Sequence, residues 1–135
     1  MAQFHPPLGG VHEAALYVSD LQRAERFWRR LGLQVVMRKE GRHVFLRAGR
    51  DMLLLFVPGA SREGGDVPSH GTEGPGHVAL DVPDAAALDL WRSHLIEADV
   101  EIEHEHAWPS GGRSIYFRDP DGNSLELITR GTWGF

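Results

Sequence analysis

The strongest constraint on this chain is that its sequence reads twice. EAALYVSDLQRAERFW, from Glu13, overlays HVALDVPDAAALDLWR, from His77, at an offset of 77 − 13 = 64 residues. At that spacing Ala15 meets Ala79, Leu16 meets Leu80, Val18 meets Val82 and Asp20 meets Asp84. Phe27 then meets Trp91, and Leu31 meets Leu95. Further on, MLLLFV from Met52 matches SLELIT from Ser124, which sets Leu54 opposite Glu126. Self-similarity at a period of ~60 residues is the mark of a duplicated structural module.

Each copy has the same expected order of elements. In the first, Val11–Val18 reads as a strand and Asp20–Leu31 as a helix. Leu21, Ala24, Phe27, Trp28 and Leu31 fall on one helical face. Ser19 with Gln22 fits a capping box, with Asp20 a competing cap, and Gly32 stops the helix. Strands follow near Leu33–Lys39, Arg42–Arg47 and Met52–Val57. In the second copy, His77–Val82 is a strand and Asp84–Ala98 a helix with Leu88, Trp91 and Leu95 on one face. Asp99–Glu105, Arg113–Arg118 and Asn123–Ile128 are three more strands. The expectation is an α+β fold of two β-α-β-β-β modules, at 11–57 and 77–128, within a single domain spanning 1–135. A Gly/Pro/Ser-rich linker at 58–76 could serve as a flap over a site, and a tail runs from 129 to 135.

Composition narrows the function classes. A net charge of −5 with no basic cluster argues against nucleic acid and anionic membranes. The chain has no cysteine, so disulfides, thiolate metal ligands and cysteine nucleophiles are excluded. No signal-peptide pattern or membrane-length apolar run is seen, and the expected location is cytoplasmic.

One residue asks for an explanation. The stretch RDPDGNSLELI, from Arg118, is a tight turn followed by an apolar strand, yet Glu126 stands between Leu125 and Leu127. A carboxylate in such a place is costly unless it is paired, protonated or bound to a cation.

The paired modules resemble the vicinal oxygen chelate superfamily, which includes glyoxalase I, extradiol dioxygenases, fosfomycin-resistance transferases and bleomycin-resistance proteins. LYVSDLQRAERFWRRLGL, GHVALDV and YFRDPDGNSLELI carry the resemblance, which runs from about Val11 to Ile128. It implies a cup-shaped mixed sheet with helices on its outer face, a homodimer, and a divalent metal (Mn, Fe, Co, Ni or Zn) in the cup. Carried over by position, the implied metal ligands are Glu13, His77 and Glu126. The fourth slot falls at Leu54, which cannot coordinate, so the chain departs there from glyoxalase I. One histidine with two carboxylates also differs from the two histidines and one carboxylate of the extradiol dioxygenases.

Strand alternation gives a separate reading of the same residues. Leu16, Val18, Val78, Leu80, Val82, Leu125 and Leu127 should face the helices. Glu13, His77 and Glu126 then all face the cup. His12 is the rival of Glu13, and Arg38 a rival partner for Glu126. Tyr17, His43, Phe45, Met52, Leu54, Phe56, Ser114 and Tyr116 line the rest of the cup, a mostly apolar wall suited to a small molecule. Glu126 or Glu13 is a candidate catalytic base, and Tyr116 a candidate donor to an oxyanion. His104–His106 reads as an exposed edge strand. His70 has no fixed direction, and the loop Trp108–Gly112 could close the rim. Two functions fit: a metal-dependent lyase, isomerase or dioxygenase acting on an oxygenated organic substrate, or a non-catalytic dimer that sequesters a small molecule or antibiotic. Elemental analysis separates them.

Overall fold

The computed structural model describes residues 6, 7, 11–63 and 65–135. Eleven elements follow one another: β1 Glu13–Tyr17, α1 Leu21–Arg30, β2 Gln34–Lys39, β3 His43–Ala48, β4 Asp51–Phe56, α2 Pro58–Ser61, β5 His77–Val82, α3 Ala85–Glu97, β6 Ile102–Ala107, β7 Arg113–Arg118 and β8 Ser124–Thr129. They build two four-stranded sheets with identical topology, β1-β4-β3-β2 and β5-β8-β7-β6. In both, the first strand pairs in parallel with the last, and the remaining pairs are antiparallel. This is the mixed α+β fold expected of the vicinal oxygen chelate group.

Local chemistry sets the helix ends. Asp20 is the N-cap of α1 and accepts from the Arg23 N–H at 3.0 Å; Asp84 does the same for α3, from Ala87 at 2.8 Å. Each such cap is worth about 1 kcal/mol. Ser19, the rival cap, is used elsewhere: its N–H and hydroxyl both donate to Asp121, at 2.9 and 2.7 Å. That contact ties the first half to the turn before β8. Gly32 closes α1 at a φ of 104°, a conformation that favours glycine. The linker carries one short helix among its described residues. Pro58 starts the short α2, and the His70 N–H returns to the Ser61 carbonyl at 3.0 Å.

A single apolar core joins both halves. Leu16, Phe27, Trp28, Leu46 and Leu55 from the first half share it with Leu88, Leu95, Ile115, Phe117 and Leu127 from the second. Phe27 on α1 lies against Phe117 on β7, with ring centroids 6.5 Å apart. His94 on α3 donates from Nε2 to the Leu31 carbonyl at the end of α1, at 3.2 Å. The helix-bearing faces of the two sheets are therefore turned toward one another within the chain. The helix-free faces look outward, away from the common core.

Candidate functional site

The turn before β8 positions the site. Asp119 is buried; its Oδ1 accepts from the Asn123 N–H and its Oδ2 from the Asn123 side-chain amide, each at 2.8 Å. Burial raises the Asp119 pKa, and the Asn123 bonds act against that rise. Asn123 Oδ1 in turn accepts from the Gly76 N–H at 2.7 Å. This fixes where β5 begins and sets His77 opposite Ser124.

His77 and Glu126 then meet on the helix-free face of the second sheet. The His77 Nδ1–H donates to the Ser124 carbonyl at 3.0 Å, which leaves Nε2 as the ring atom that faces Glu126. Nε2 stands 3.2 Å from Glu126 Oε1. The other Glu126 oxygen, Oε2, accepts from the Ser114 hydroxyl at 2.6 Å, and Ser114 Oγ accepts from Trp108 Nε1 at 2.8 Å. Glu126 and Ser114 are buried, at 5% and 1% exposure. Each candidate ligand thus has one polar atom tied to the protein and one turned toward the other. Two donors that each lie ~2.1 Å from a shared cation stand roughly 3.0–3.4 Å apart, so this spacing fits a divalent ion. Hydrogen bonds to the far side of metal ligands are a recurrent feature of such centres.

Register places further residues on the same face. One cross-strand row runs Ala79, Glu126, Tyr116, His104; the next runs Asp81, Ile128, Ser114, His106. Burial, and then the neighbouring Glu126 carboxylate, hold the Tyr116 phenol above its ordinary pKa, so it stays a protonated donor. His104 and His106 are exposed on an edge strand, as their sequence implies. What their sequence did not reveal is a bulge between Ile102 and His104. Ile102 packs against the core opposite Phe117, while His104 stands opposite Tyr116 on the other face. Bulges commonly re-aim a side chain in this way.

Glu13 stands elsewhere. It is exposed at the start of β1 on the first sheet, opposite Met52. Among the described residues of one chain, no group of three or more His, Asp or Glu side chains is placed to hold a metal. His12 is exposed just before the strand. Arg38 is not near Glu126; it makes a two-point pair with Glu25, at 2.6 and 2.9 Å.

The other expected wall residues assemble on the helix-free face of the first sheet. His43 stacks on Phe45 at 4.1 Å, and Phe56 meets both rings edge-on, at 5.8 and 5.5 Å. Leu54 is buried beside Phe45, and Met52 is half-buried at the strand's start. His70 from the linker closes over this cluster: the Tyr17 hydroxyl and His70 Nδ1 are 2.8 Å apart, and His70 meets Phe56 at 4.5 Å. Burial, then Arg42 and Lys39, lower the His43 pKa and favour a neutral ring. The result is an aromatic surface with little charge.

A groove of about 810 Å³ runs between the open edges of β1 and β5, lined by Ala14, Met52, Leu80, Trp91 and Trp133 among others. Among the described residues neither edge strand has a partner on that side. Trp133 and Phe135 are exposed, at 65% and 95%. No helix among the described residues is long and apolar enough to cross a membrane.

Comparison with known proteins agrees with this fold. Residues 10–127 match the family described as the Glyoxalase/Bleomycin resistance protein/Dioxygenase superfamily. A catechol-2,3-dioxygenase of Bacillus subtilis (strain 168) is 29% identical over 89% of this chain, which spans only 42% of that protein. A metallothiol transferase FosB of Shouchella clausii (strain KSM-K16) is 26% identical over 90% of the chain and 81% of its own length. The crystal structure of a lactoylglutathione lyase from Agrobacterium tumefaciens superposes with a TM-score of 0.91, at 40% identity, over 96% of this chain and 100% of that one.

Proposed function

Because the chain belongs to the glyoxalase/bleomycin resistance protein/dioxygenase superfamily, we propose that it is a metal-dependent enzyme working as a homodimer on a small oxygenated, partly apolar substrate. The observation that carries this reading is the His77–Glu126 pair, held 3.2 Å apart with Nδ1 and Oε2 already engaged by the protein. His77, Glu126 and Glu13 would hold the cation. Since Glu13 lies on the other outward face, it would come from the partner subunit. In that arrangement the first sheet of one chain covers the second sheet of the other, and the cup forms between chains. The open edges of β1 and β5 and the exposed tail support such an association, because unpaired edges invite pairing.

A divalent ion held by these residues would supply Lewis-acid stabilisation of negative charge on the substrate's adjacent oxygens. The chain's own residues do the rest. The aromatic surface of Phe45, Phe56 and His43 holds the substrate's apolar body and excludes water. Tyr116, kept protonated, donates to an oxygen that gains charge. Glu126 or Glu13 takes up a proton. Lyase, isomerase and ring-opening chemistry all draw on this set.

The test is metal content of gently purified protein and of protein reconstituted with Mn(II), Fe(II), Co(II), Ni(II) and Zn(II), with sedimentation to give the assembly state. One ion per cup in a dimer is expected. A dimer that takes up none of these ions would overturn the enzyme reading and favour a sequestering protein. A mixing experiment addresses the shared cup: Glu13→Gln and Glu126→Leu chains, each impaired alone, should regain one intact site in every mixed dimer. No recovery in mixed dimers would mean that Glu13 does not complete the partner's site.

A further inference from the structure

We propose that His104 and His106 form a second divalent-cation site on the helix-free face of the second sheet, separate from the His77–Glu126 centre. It would take ions that favour imidazole, such as Ni(II), Cu(II) and Zn(II).

The argument starts from the strand. Residues two apart share a face, so the His-Glu-His stretch presents two imidazoles side by side. Their ring centroids are 5.8 Å apart, tilted by 35°. Both residues are exposed, and no hydrogen bond among the described residues engages either ring. To share a cation their nitrogens must come within roughly 3 Å of each other, with each ~2.1 Å from the ion. Rotation of two exposed side chains can achieve that without moving the backbone. The neighbours brace the rings without filling the space: Tyr116 lies 5.8 Å from His104, and Trp108 meets His106 edge-on at 4.5 Å.

The surrounding charges define which ions fit. Glu103 pairs with Arg118 at 3.0 Å, and Glu105 pairs with Arg92 on α3. Neither carboxylate is free to join the imidazoles. The site is therefore two nitrogens completed by water, which disfavours the oxygen-seeking Mg(II) and Ca(II). The equivalent positions of the first half, by register against β3, are Met37 and Lys39, so nothing comparable arises there.

Position distinguishes this site from the first. His104 is two strands from Glu126 in the same row. At ~4.8 Å per strand their backbones are roughly 10 Å apart, too far to share one ion. An ion at His104 and His106 would instead meet the far end of a ligand lying across Tyr116.

Calorimetric titration of tag-free protein with Ni(II) tests the proposal. Wild-type protein should bind two classes of ion. His104→Gln/His106→Gln should lose one class and keep the other, while Glu126→Leu should keep the class that the double variant lacks. Quenching of tryptophan fluorescence by Cu(II), reporting through Trp108 against His106, should fall in the double variant and remain in Glu126→Leu. Circular dichroism checks that each variant is folded. Ni(II) binding in the folded double variant that matches wild type, or no Ni(II) binding by folded Glu126→Leu, would overturn the second site. Because the Glu126→Leu arm does not depend on the first centre, it stands or falls apart from the enzymatic reading.

Discussion

The two outward faces of this molecule are built on one frame and carry opposite chemistry. Row by row, Ala15, Leu54, Phe45 and Met37 on the first sheet stand where Ala79, Glu126, Tyr116 and His104 stand on the second. The next row sets Tyr17, Phe56, His43 and Lys39 against Asp81, Ile128, Ser114 and His106. Even the bulge is shared, at Val35/Met37 in β2 and Ile102/His104 in β6. The helix-side residues remain alike in both copies because one common core has to be filled. The outward positions have no such obligation, so one face became apolar and aromatic and the other became polar and carries the His77–Glu126 pair. Packing fixes the frame, and function lies in the residues that packing leaves free.

The most damaging way to break this difference is to make the second face copy the first. Glu126→Leu installs the residue found at the equivalent position, Leu54. Divalent-metal binding at the His77 centre should be lost in a titration of apo-protein. Stability should change by about 1 kcal/mol or less, since removing a buried charge offsets the loss of an acceptor for Ser114. His77→Ala should also abolish binding and stay folded, because His77 is exposed. Full metal occupancy in either variant would remove the centre from this face.

Next in size is the contribution from the other face. Glu13→Gln should weaken Mn(II) or Ni(II) binding by more than the roughly 10–100-fold typical of losing a supporting hydrogen bond. His12→Gln should leave it unchanged, because one step along a strand reverses the face. If His12→Gln proves the damaging change, the ligands become two histidines and one carboxylate, and dioxygenase chemistry moves ahead of lyase or isomerase chemistry.

Ser114→Ala comes third. Ser114 stands where the first half has His43, and its hydroxyl orients Glu126 from behind. Loss of that bond should lower metal affinity by about 10–100-fold, and Ser114→Thr should recover part of it. Trp108→Phe, one bond further out, should do less.

Much of this frame was legible in the sequence because it rests on repeated apolar spacing. The 64-residue offset locates both helices and the parallel first strands, and the match of MLLLFV to SLELIT, at 124 − 52 = 72 residues, pairs Leu54 with Glu126. Four features were not legible, each for a physical reason. Asp20, rather than Ser19, caps α1 because Ser19 is taken by Asp121, 102 residues away. The face of His104 depends on a bulge, and an added residue leaves no mark in a short polar strand. The separation of Glu13 from His77 and Glu126 arises from the way the helices of both halves share a core, which alternation within single strands does not report. Strand alternation placed Ser114 on the wall but could not show that its hydroxyl serves Glu126.

The smallest expected effect concerns the charge of the aromatic face. His43 is half-buried among Phe45 and Phe56, and its Nδ1 is buried with no hydrogen-bond partner among the described residues. Burial is the main cause of its lowered pKa, with Arg42 and Lys39 adding to it. Folding thus favours the neutral ring, while the unfolded chain takes up a proton near the ordinary value of 6.5. Stability from this residue is complete above that value and is lost as pH falls through it toward the lower folded pKa, because the unfolded state binds the proton first. The equivalent position on the polar face is Ser114, which does not titrate in this range, so the effect belongs to one face alone. His43→Phe should flatten the fall in stability below pH 6.5 without altering metal binding. Urea unfolding of both proteins at a series of pH values measures this. Parallel curves would mean that His43 is as free to take a proton in the folded protein as in the unfolded chain, and the first face would not be a charge-averse surface.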